Sequence, residues 1–448
     1  MIRHLFGFFA TQADKPPIPD RAVVDRLYRR YRLLVMIAIT VGYGLAYTCR
    51  LGLSVVKKPL IDSGAFSPAE LGTIGSAFFY TYAFGKLVNG FLADHANLKR
   101  FGSLGVLGSA LINGAIAWCR GLGPWVMLWG LNGWFQGFAA PTGVVSLSRW
   151  FSNRERGRFY GIWSTAHAFG EGITWVGSAA LVSWLGWQWG FWGPAAICVG
   201  VAIGLYFTLQ DRPQTLGLPP VAVWRQDFAE PQPGQPLGRW QAQLLVLKTP
   251  AIWLVGLASA GMYITRYAIN SWGFLYLQEA KGYSFLTAGS LLAINTLAGV
   301  AGCVAFGFIS DHLFHARRPP ANLLFGLLEL AALGLLFLAP PGKPALIVAA
   351  LAVYGFGLNG LVTSLGGLFA VDIAPKQAAG AALGFVGVFS YIAAAVQERV
   401  SGHLIQKAMV VSEGVRTYHF TPAILFWLAS STLSLLLAAT LWRARTQD

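Results

Sequence analysis

The sequence predicts an all-α membrane protein in which twelve transmembrane helices form two pseudo-symmetric bundles of six. Three observations lead to this fold class: a composition poor in charge, twelve long apolar segments, and a repeat that relates the two halves of the chain. Of the 448 residues, 55% are hydrophobic and only 11% are charged. A soluble domain carries about 25% charged residues, so this composition argues against a water-soluble core. It also argues against disorder, which requires low hydrophobicity.

The apolar segments are long enough to cross a bilayer, which takes roughly 20 mostly apolar residues. They lie at 33–56, 68–92, 101–119, 123–147, 159–184, 187–209, 250–278, 285–310, 320–339, 344–371, 379–408 and 420–442. The longest polar segment is rich in proline, glycine and charge, and it separates the first six segments from the last six. We therefore expect an N-terminal segment at 1–32, helical bundles at 33–209 and 249–442, an exposed linker at 210–248 and a tail at 443–448.

The distribution of basic residues predicts how the chain is oriented. Lysine and arginine are concentrated in the termini, the linker and every second loop, whereas the opposite loops, with Lys57 among their few cations, carry far fewer. The positive-inside rule therefore predicts that both termini and the linker are cytoplasmic. In a soluble protein a net charge of +15 would suggest nucleic acid as a partner. Because no basic stripe alternates with stacking aromatics outside the apolar segments, we expect a lipid bilayer and no nucleic acid.

Other classes of site are disfavoured by the motifs that the chain lacks. The four cysteines are scattered without CxxC spacing, which predicts neither a metal site nor a disulfide framework. No phosphate-binding loop of a nucleotide enzyme and no catalytic triad stands out. We therefore expect no cofactor, no metal and no enzymatic activity.

The two halves of the chain repeat one another. The segment 90–95, Gly-Phe-Leu-Ala-Asp-His, matches 307–312, Gly-Phe-Ile-Ser-Asp-His, 217 positions later. Independently, 47–50, Tyr-Thr-Cys-Arg, matches 263–266, Tyr-Ile-Thr-Arg, 216 positions later. Two segments that share nearly one register indicate parallel six-helix repeats, a plan in which transporters bind their ligand near the midplane between the repeats.

These motifs also carry a family resemblance. Gly-x-x-x-Asp followed by basic residues, after the second and eighth segments, resembles the loop signature of the major facilitator superfamily. A long block within 133–172 is similar to the organophosphate:phosphate antiporter family, with Gly133-Trp134-Phe135-Gln136-Gly137, Arg149-Trp150-Phe151-Ser152, Glu155-Arg156-Gly157 and Ala166-His167. In the second half, 266–270, 272–273 and 374–380 agree, so the resemblance covers roughly 25–442. The start of the linker and 28–32 are most similar to the hexose-phosphate sensors of that family.

Arg50 and Arg266 are the first candidate binding residues, because an arginine within the membrane is costly and by default suggests function. A guanidinium stays charged, and its planar fork fits phosphate oxygens. The alternative is that each arginine neutralises a nearby carboxylate or extends outward to the membrane surface. Lys86 adds a third positive charge, unless it pairs with Glu171 or another acid. In the family that the chain resembles, the matching arginines and lysine lie at the substrate phosphate.

Five further residues are weaker candidates for substrate contact. His167 can donate to phosphate in either protonation state, although a lone buried histidine is more often structural. Tyr47 and Tyr263 lie three residues before the two arginines, on nearly the same helical face. Their phenols, and those of Tyr391 and Tyr354, could donate to a phosphate or sugar oxygen, but tyrosines also pack helices.

The acidic residues suggest coupling and gating. Glu171 brings a carboxylate to the cationic site and could couple binding to protons, while Glu398-Arg399 is expected to form an internal ion pair. We expect Asp94, Arg100, Asp311 and Arg317 to act as cytoplasmic gate residues, because the pattern recurs in both halves. The alternative is that they are solvated loop charges.

The resemblance implies a function and a location. It predicts a multi-pass carrier of the bacterial inner membrane that exchanges a sugar phosphate, such as glucose 6-phosphate, for inorganic phosphate. The alternative is a membrane sensor of external hexose phosphate whose partner is a histidine kinase. A third reading, a proton-coupled exporter, rests only on the superfamily loops and Glu171.

Overall fold

The computed structural model describes residues 9–227, 239–315, 317–374, 378–413 and 415–443. Within these ranges the chain forms twelve long helical rods, which confirms the predicted fold class, and four short helices at Pro213–Leu216, Val221–Arg225, Arg239–Leu247 and Leu441–Arg443. The first six are α1 (Arg21–Ala46 and Thr48–Asp62), α2 (Pro68–His95), α3 (Leu98–Ile116), α4 (Leu122–Gln136 and Ala139–Trp150), α5 (Asn153–Ser164, Ala166–Ile173, Thr174–Ser178 and Ala179–Leu185) and α6 (Trp189–Thr208). The last six are α7 (Pro250–Tyr267, Ala268–Trp272 and Gly273–Glu279), α8 (Phe285–Phe308 and Ile309–Leu313), α9 (Arg318–Leu338), α10 (Pro344–Thr363, Ser364–Leu368 and Phe369–Ile373), α11 (Ala379–Ala408) and α12 (Thr421–Thr440).

Eight of these rods are long and apolar enough to cross a membrane by length and composition alone. The four that fall short are α2, α3, α4 and α5, all in the first half.

Several rods begin directly after a residue whose side chain can cap a helix. Asp20 accepts a hydrogen bond from the N–H of Ala22 at 2.8 Å, so α1 starts well before the predicted residue 33. A reciprocal capping box of Ser67 and Glu70 starts α2.

The rods that carry the two arginines are irregular near their centres. α1 is interrupted at Tyr47, three residues before Arg50. α7 changes to a π-helical turn over Ala268–Trp272, directly after Arg266 and Tyr267. Such turns leave backbone groups to be satisfied by other partners and are frequent at functional sites.

At one end of the molecule, β1 (Val410–Ser412) and β2 (Val415–Thr417) form a short antiparallel hairpin. We call this end the hairpin end, and we call the opposite side, where α1 begins and α12 ends, the termini end. The hydrogen bonds and ion pairs that join two described residues across the halves lie at the two arginines or nearer the hairpin. They are Arg50–Tyr267, Arg266–Glu171, Lys57–Ser271, Lys57–Glu398, Lys58–Glu279, Ala69–Gln406 and Ile61–Arg416.

Glycines let the rods of the two halves approach closely near the hairpin end. α2 crosses α11 at Gly72 and Gly402, where a Cβ built on Gly402 would lie 2.4 Å from the carbonyl oxygen of Pro68. α5 crosses α8 at Gly289, where an added Cβ would lie 2.4 Å from the carbonyl oxygen of Trp175. Small residues of this kind bring backbones together in membrane helix packing.

The prediction of a wholly exposed linker is wrong for 211–227, which packs on the first half of the chain. Tyr28 of α1 donates a hydrogen bond to the carbonyl of Pro219, and its ring stacks on Trp224 with the centroids 4.1 Å apart. Asp211 is buried and pairs with Arg149 at the end of α4. Residues 228–238 of the predicted linker and 444–448 of the tail lie outside the described residues, as do 375–377 of the family motif.

Candidate functional site

Arg50 of α1 and Arg266 of α7 are both buried near the interface of the two halves, with 5% of each residue exposed. The Nη2 atom of Arg50 donates to the hydroxyl of Tyr267 at 2.8 Å. Because Tyr267 directly follows Arg266, this bond joins the two arginine positions across the interface. The structure therefore brings together the two residues that the repeat register singled out.

The guanidinium of Arg50 is surrounded by aromatic rings rather than by acids. Its Cζ atom lies 4.3 to 5.9 Å from the ring centroids of Tyr82, Tyr47, Phe78, Tyr391 and Phe79. Within the described residues no carboxylate forms an ion pair with Arg50, and its Nε atom is buried without a hydrogen-bond partner. Ring faces attract a cation, but they do not neutralise its charge or satisfy an N–H donor. An anionic ligand at this point would do both.

Arg266 has a carboxylate neighbour. Its Nη2 atom lies 3.5 Å from Oε1 of Glu171, and Glu171 is only 6% exposed. The rings of Tyr263 and Tyr267 lie 5.6 and 5.7 Å from its Cζ atom. The alternative that a carboxylate neutralises the arginine therefore applies to Arg266 and not to Arg50. The contact is long for a charge-assisted bond, which normally spans about 2.8 Å.

Lys86 contributes a third positive charge from the cleft between the halves. It lies one helical turn beyond Tyr82 on α2, towards the termini end, and its side chain is exposed. Its Nζ atom is nevertheless 5.2 Å from the ring centroid of Tyr391 on α11. An exposed Lys86 so near Tyr391 of the other half indicates that the interface is accessible from the termini end at this point. The predicted alternative partner, Glu171, pairs with Arg266 instead.

The other predicted contact residues line the same region. Tyr47, Tyr263 and Tyr391 are each 6 to 7% exposed, and the ring of Tyr391 lies 5.4 Å from that of Tyr263. His167 is half-buried, 6.0 Å from the ring of Tyr47. Its Nδ1 atom bonds the carbonyl oxygen of Ser164 in its own rod, so Nδ1 carries the proton and Nε2 is the ring nitrogen left for another partner.

Two residues of the site were not predicted from the sequence. Tyr267 was part of the family motif, and its hydroxyl, on the last residue before the π-helical turn, accepts the bond from Arg50. Tyr82 precedes Lys86 by four positions, so helical spacing could have identified it as a neighbour on the same face. Tyr354, by contrast, is fully buried and donates to the carbonyl of Thr265 at 2.9 Å, so it does not line the cleft.

A buried ion pair closes the site on its hairpin side. The Nζ atom of Lys57 lies 2.9 Å from Oε2 of Glu398, 2.6 Å from Oγ of Ser271 and 3.5 Å from the ring centroid of Trp272. The prediction that Lys57 is a loop residue is wrong, since it is fully buried in α1. The prediction that Glu398 pairs with Arg399 is also wrong, because Arg399 is exposed.

Between this ion pair and the arginines lies a small cavity. Its volume is about 20 Å³, which is room for about one water molecule, and Arg50, Tyr267, Asn270 and Glu398 are part of its wall. The Oδ1 atom of Asn270 is buried without a partner among the described residues. Polar atoms thus line the path from Arg50 to the hairpin-side ion pair.

The four predicted gate residues lie at the termini end. The Asp311 carboxylate pairs with Arg318 at 2.7 Å rather than with Arg317, and Arg318 also bonds Asp372 at 2.7 Å. Arg317 instead donates to the carbonyl of Trp442 at 3.4 Å. These contacts fall within the second half of the chain and do not join the halves.

The matching loop of the first half differs in its partners. Asp94 is exposed, and its backbone carbonyl accepts a 2.8 Å bond from Arg149. The backbone N–H of Arg100 donates to Asn97 at the start of α3. The carboxylate that pairs with Arg149 is that of Asp211. Over the described part of the chain, no three His, Cys, Asp or Glu side chains come together as a metal site would require.

Comparison with known proteins identifies a family and several similar proteins. The family described as the Major Facilitator Superfamily matches residues 31–397. The membrane sensor protein UhpC of Salmonella typhimurium is 34% identical over 88% of this chain and 89% of its own. The glycerol-3-phosphate transporter of Bacillus subtilis is 33% identical over 83% and 86%, and a probable hexose phosphate transport protein of Chlamydia pneumoniae is 30% identical over 86% and 88%.

Two solved structures share the fold. A bacterial homologue of the human lysosomal transporter Spinster superposes with a TM-score of 0.72 at 18% identity, over 93% of this chain and 99% of that one. The nucleoside transporter NupG superposes with a TM-score of 0.68 at 14% identity, over 92% and 99%. At such low identity these matches establish the architecture alone.

Proposed function

The chain belongs to the major facilitator superfamily and, within it, to the organophosphate:phosphate antiporter family, and from this premise we propose that it is a carrier of organophosphates. In this proposal the protein is not an enzyme. It lies in the bacterial inner membrane with both termini in the cytoplasm and exchanges a sugar phosphate for inorganic phosphate. One observation carries the proposal: the guanidinium of Arg50 is buried at the interface of the halves without a carboxylate partner among the described residues.

The charge of the site suits a phosphate ester. Arg50, Arg266 and Lys86 bring three positive charges, and Glu171 brings one negative charge. A phosphate monoester carries about −1.5 to −2 charges at neutral pH, which balances the remaining two positive charges. Two guanidinium forks facing each other could hold the phosphate group from opposite sides.

The aromatic residues suit the organic part of the ligand. Tyr82, Tyr263 and Tyr391 surround the arginines with ring faces and phenol groups. Phenol groups can donate to sugar hydroxyls, and ring faces can pack on a sugar ring. Glucose 6-phosphate is our first candidate, because relatives of this chain are described as a hexose phosphate transport protein and as UhpC.

The shape of the interface supports alternating access. The cleft is open at the termini end, while the hairpin end is closed by the Lys57–Glu398 pair and by the crossing of α2 and α11. A phosphate group that binds Arg50 on one half and Arg266 on the other draws the halves together. Without that anion, closure would bury uncompensated positive charge, which is costly. Closure therefore requires one of the two phosphate ligands, and the result is exchange.

Reconstituted vesicles test the proposal. Vesicles that contain inorganic phosphate and the wild-type chain should take up labelled phosphate and should lose it when glucose 6-phosphate is added outside. Arg50→Ala and Arg266→Ala should abolish both movements. Arg120→Ala is the matched control, because Arg120 is an exposed arginine in the loop between α3 and α4, and it should exchange normally. Robust exchange by both site variants would contradict the proposal.

A second candidate function is sensing. The similarity to UhpC suggests it, and so does the packing of 211–227 on the termini end, which presents a folded surface to a partner such as a membrane histidine kinase. A sensor would bind glucose 6-phosphate without exchanging it, so binding by the purified chain together with inactive vesicles would favour sensing. A deletion strain that keeps its sugar-phosphate-induced transcription would count against it.

A further inference from the structure

The backbone turn that leads into Arg50 is held by side chains from neighbouring rods. Where α1 is interrupted, the N–H of Arg50 bonds the carbonyl of Tyr47 at 3.0 Å, which is the three-residue spacing of a tight helical turn. The carbonyl of Cys49, the residue directly before Arg50, accepts bonds from Nδ2 of Asn113 at 3.1 Å and from Nδ2 of Asn132 at 2.9 Å. Two amides from α3 and α4 thus bind one backbone oxygen.

A third amide holds the start of the same turn. The Nε2 atom of Gln136 donates to the carbonyl of Ala46 at 2.9 Å and to Oγ of Ser109 at 2.8 Å. Ser109 in turn donates to Oδ1 of Asn132 at 2.6 Å. All of these side chains are at most 5% exposed, so the three amides form one buried network around the turn. We call Asn113, Asn132 and Gln136 the amide clamp.

The second half of the chain has the same arrangement with different chemistry. Thr265 directly precedes Arg266, and its carbonyl accepts a 2.9 Å bond from the hydroxyl of Tyr354 on α10. Cys49 and Thr265 are 216 positions apart, so they are equivalent in the repeat. In both halves, the carbonyl just before the arginine is bound by a side chain of a neighbouring rod.

General helix packing does not account for this pattern. Polar side chains do join membrane helices, and a buried amide must find partners wherever it lies. Here, however, three amides converge on one turn that ends at Arg50, and the equivalent carbonyl of the other half is bound as well. A binding group must be held to within about 0.5 Å by supporting contacts if it is to bind tightly. The clamp and Tyr354 supply such contacts to the backbone of both arginines.

We propose that Asn113, Asn132 and Gln136 on one side, and Tyr354 on the other, are positioning residues that aim the two arginines at the phosphate group. The inference rests on the proposed phosphate site and goes beyond it, because none of these four side chains has to touch the ligand. The two asparagines share one acceptor, so each keeps the Cys49 carbonyl in place when the other is lost. Tyr354 has no such partner among the described residues.

The sharing of one acceptor gives a sharp test by titration of the purified full-length chain with inorganic phosphate. Asn113→Leu and Asn132→Leu nearly preserve volume, and each leaves one amide on the carbonyl of Cys49. Each single variant should bind phosphate at most about twofold more weakly, whereas the double variant should bind it about tenfold or more weakly, because a buried acceptor has then lost both side-chain donors. If the two substitutions instead damaged the structure independently, their effects would multiply to about fourfold in the double variant. Thermal unfolding measured in parallel shows how far each variant loses stability.

Matched controls come from the same chain. Asn322 is a fully buried asparagine of α9 whose side-chain atoms have no partner among the described residues, so Asn322→Leu should bind phosphate as the wild type does. Tyr354→Phe removes one oxygen and should weaken phosphate binding about tenfold. Tyr283→Phe removes a phenol oxygen that is likewise buried without a described partner, and it should have no effect.

The outcomes separate this inference from the proposed function. If the wild type fails to bind phosphate, the proposed function is wrong and the inference falls with it. If the wild type binds phosphate, Arg50→Ala does not, and both the double asparagine variant and Tyr354→Phe bind like the wild type, the inference alone is wrong. Should the double variant fail to fold, the comparison of phosphate binding by Tyr354→Phe and by Tyr283→Phe still tests the inference.

Discussion

The Lys57–Glu398 ion pair predicts how the hairpin end opens. Lys57 is fully buried on one half and Glu398 is 2% exposed on the other, so each needs its partner only while the hairpin end is closed. Glu398→Gln keeps the shape of the side chain and removes its charge. In the closed form, the Lys57 ammonium would then be buried without a counter-ion, whereas in the open form water would reach it. The substitution should therefore favour opening at the hairpin end.

The size of the effect follows from the burial of the pair. Removal of one partner of a buried ion pair costs about 3 to 5 kcal/mol. Because Ser271 and the ring of Trp272 still contact the Lys57 ammonium, the lower figure applies. At about 1.4 kcal/mol per tenfold change, 3 kcal/mol shifts the closed-to-open ratio by about 100-fold. The double variant Lys57→Met, Glu398→Gln removes the unpaired charge and should restore most of the wild-type closed-to-open ratio.

Thiol labelling from the hairpin side measures this equilibrium. Ser54 is buried beside the cavity between Arg50 and Glu398, so the thiol in Ser54→Cys should react slowly with a membrane-impermeant maleimide in the otherwise wild-type chain. Glu398→Gln should raise the rate by at least about tenfold, and the double variant should lower it again. The chain without Ser54→Cys corrects for its own four cysteines. Equal labelling rates in Glu398→Gln and the reference chain would refute the reasoning.

The site and the linker give four further predictions. Glu171→Gln removes the carboxylate beside Arg266 and should strengthen phosphate binding several-fold in calorimetry; weaker binding would show that Glu171 instead helps to hold the ligand. Lys86→Ala should weaken phosphate binding about tenfold without steepening the dependence of that binding on salt concentration. Lys86→Arg keeps the charge and should keep most of the affinity, so equal loss in both variants would contradict a role through charge. Tyr267→Phe removes the acceptor of Arg50 across the interface and should alter the exchange rate more than phosphate affinity, as measured in vesicles; unchanged exchange would exclude a role in joining the halves. Trp224→Ala should release 211–227 to limited proteolysis and leave phosphate binding intact; protection as in the wild type would contradict the docking.

The helices and the pairing of the arginines could be predicted because both depend on patterns along the chain. Apolar length alone gave the twelve rods, and the register between 47–50 and 263–266 identified the arginines as equivalent. Equivalent positions in two parallel repeats face each other across the interface. In the structure Arg50 accordingly donates a hydrogen bond to Tyr267, the residue directly after Arg266.

The contacts that sequence reasoning missed are tertiary and span long separations. Lys57 and Glu398 are 341 positions apart, and no periodicity predicts that they meet. The stacking of Trp224 on Tyr28 turns a proline- and glycine-rich stretch into a packed segment, although its composition favours an exposed loop. The bond between Arg50 and Tyr267 likewise joins residues 217 positions apart, and the repeat register pointed to Arg266 rather than to its neighbour.

The crossing of α2 and α11 at Gly72 and Gly402 can act as a fulcrum. The two backbones lie close together at these glycines, because a Cβ added at Gly72 would lie 3.2 Å from the Cα atom of Gly402. From Gly72 to the end of α2 at His95 the rod extends about 35 Å at 1.5 Å per residue. A rotation of about 10° at the crossing would therefore move the far end of α2 by about 6 Å. A small tilt at one backbone contact is thus amplified along the lever arm into a movement large enough to close the cleft over a bound phosphate ester.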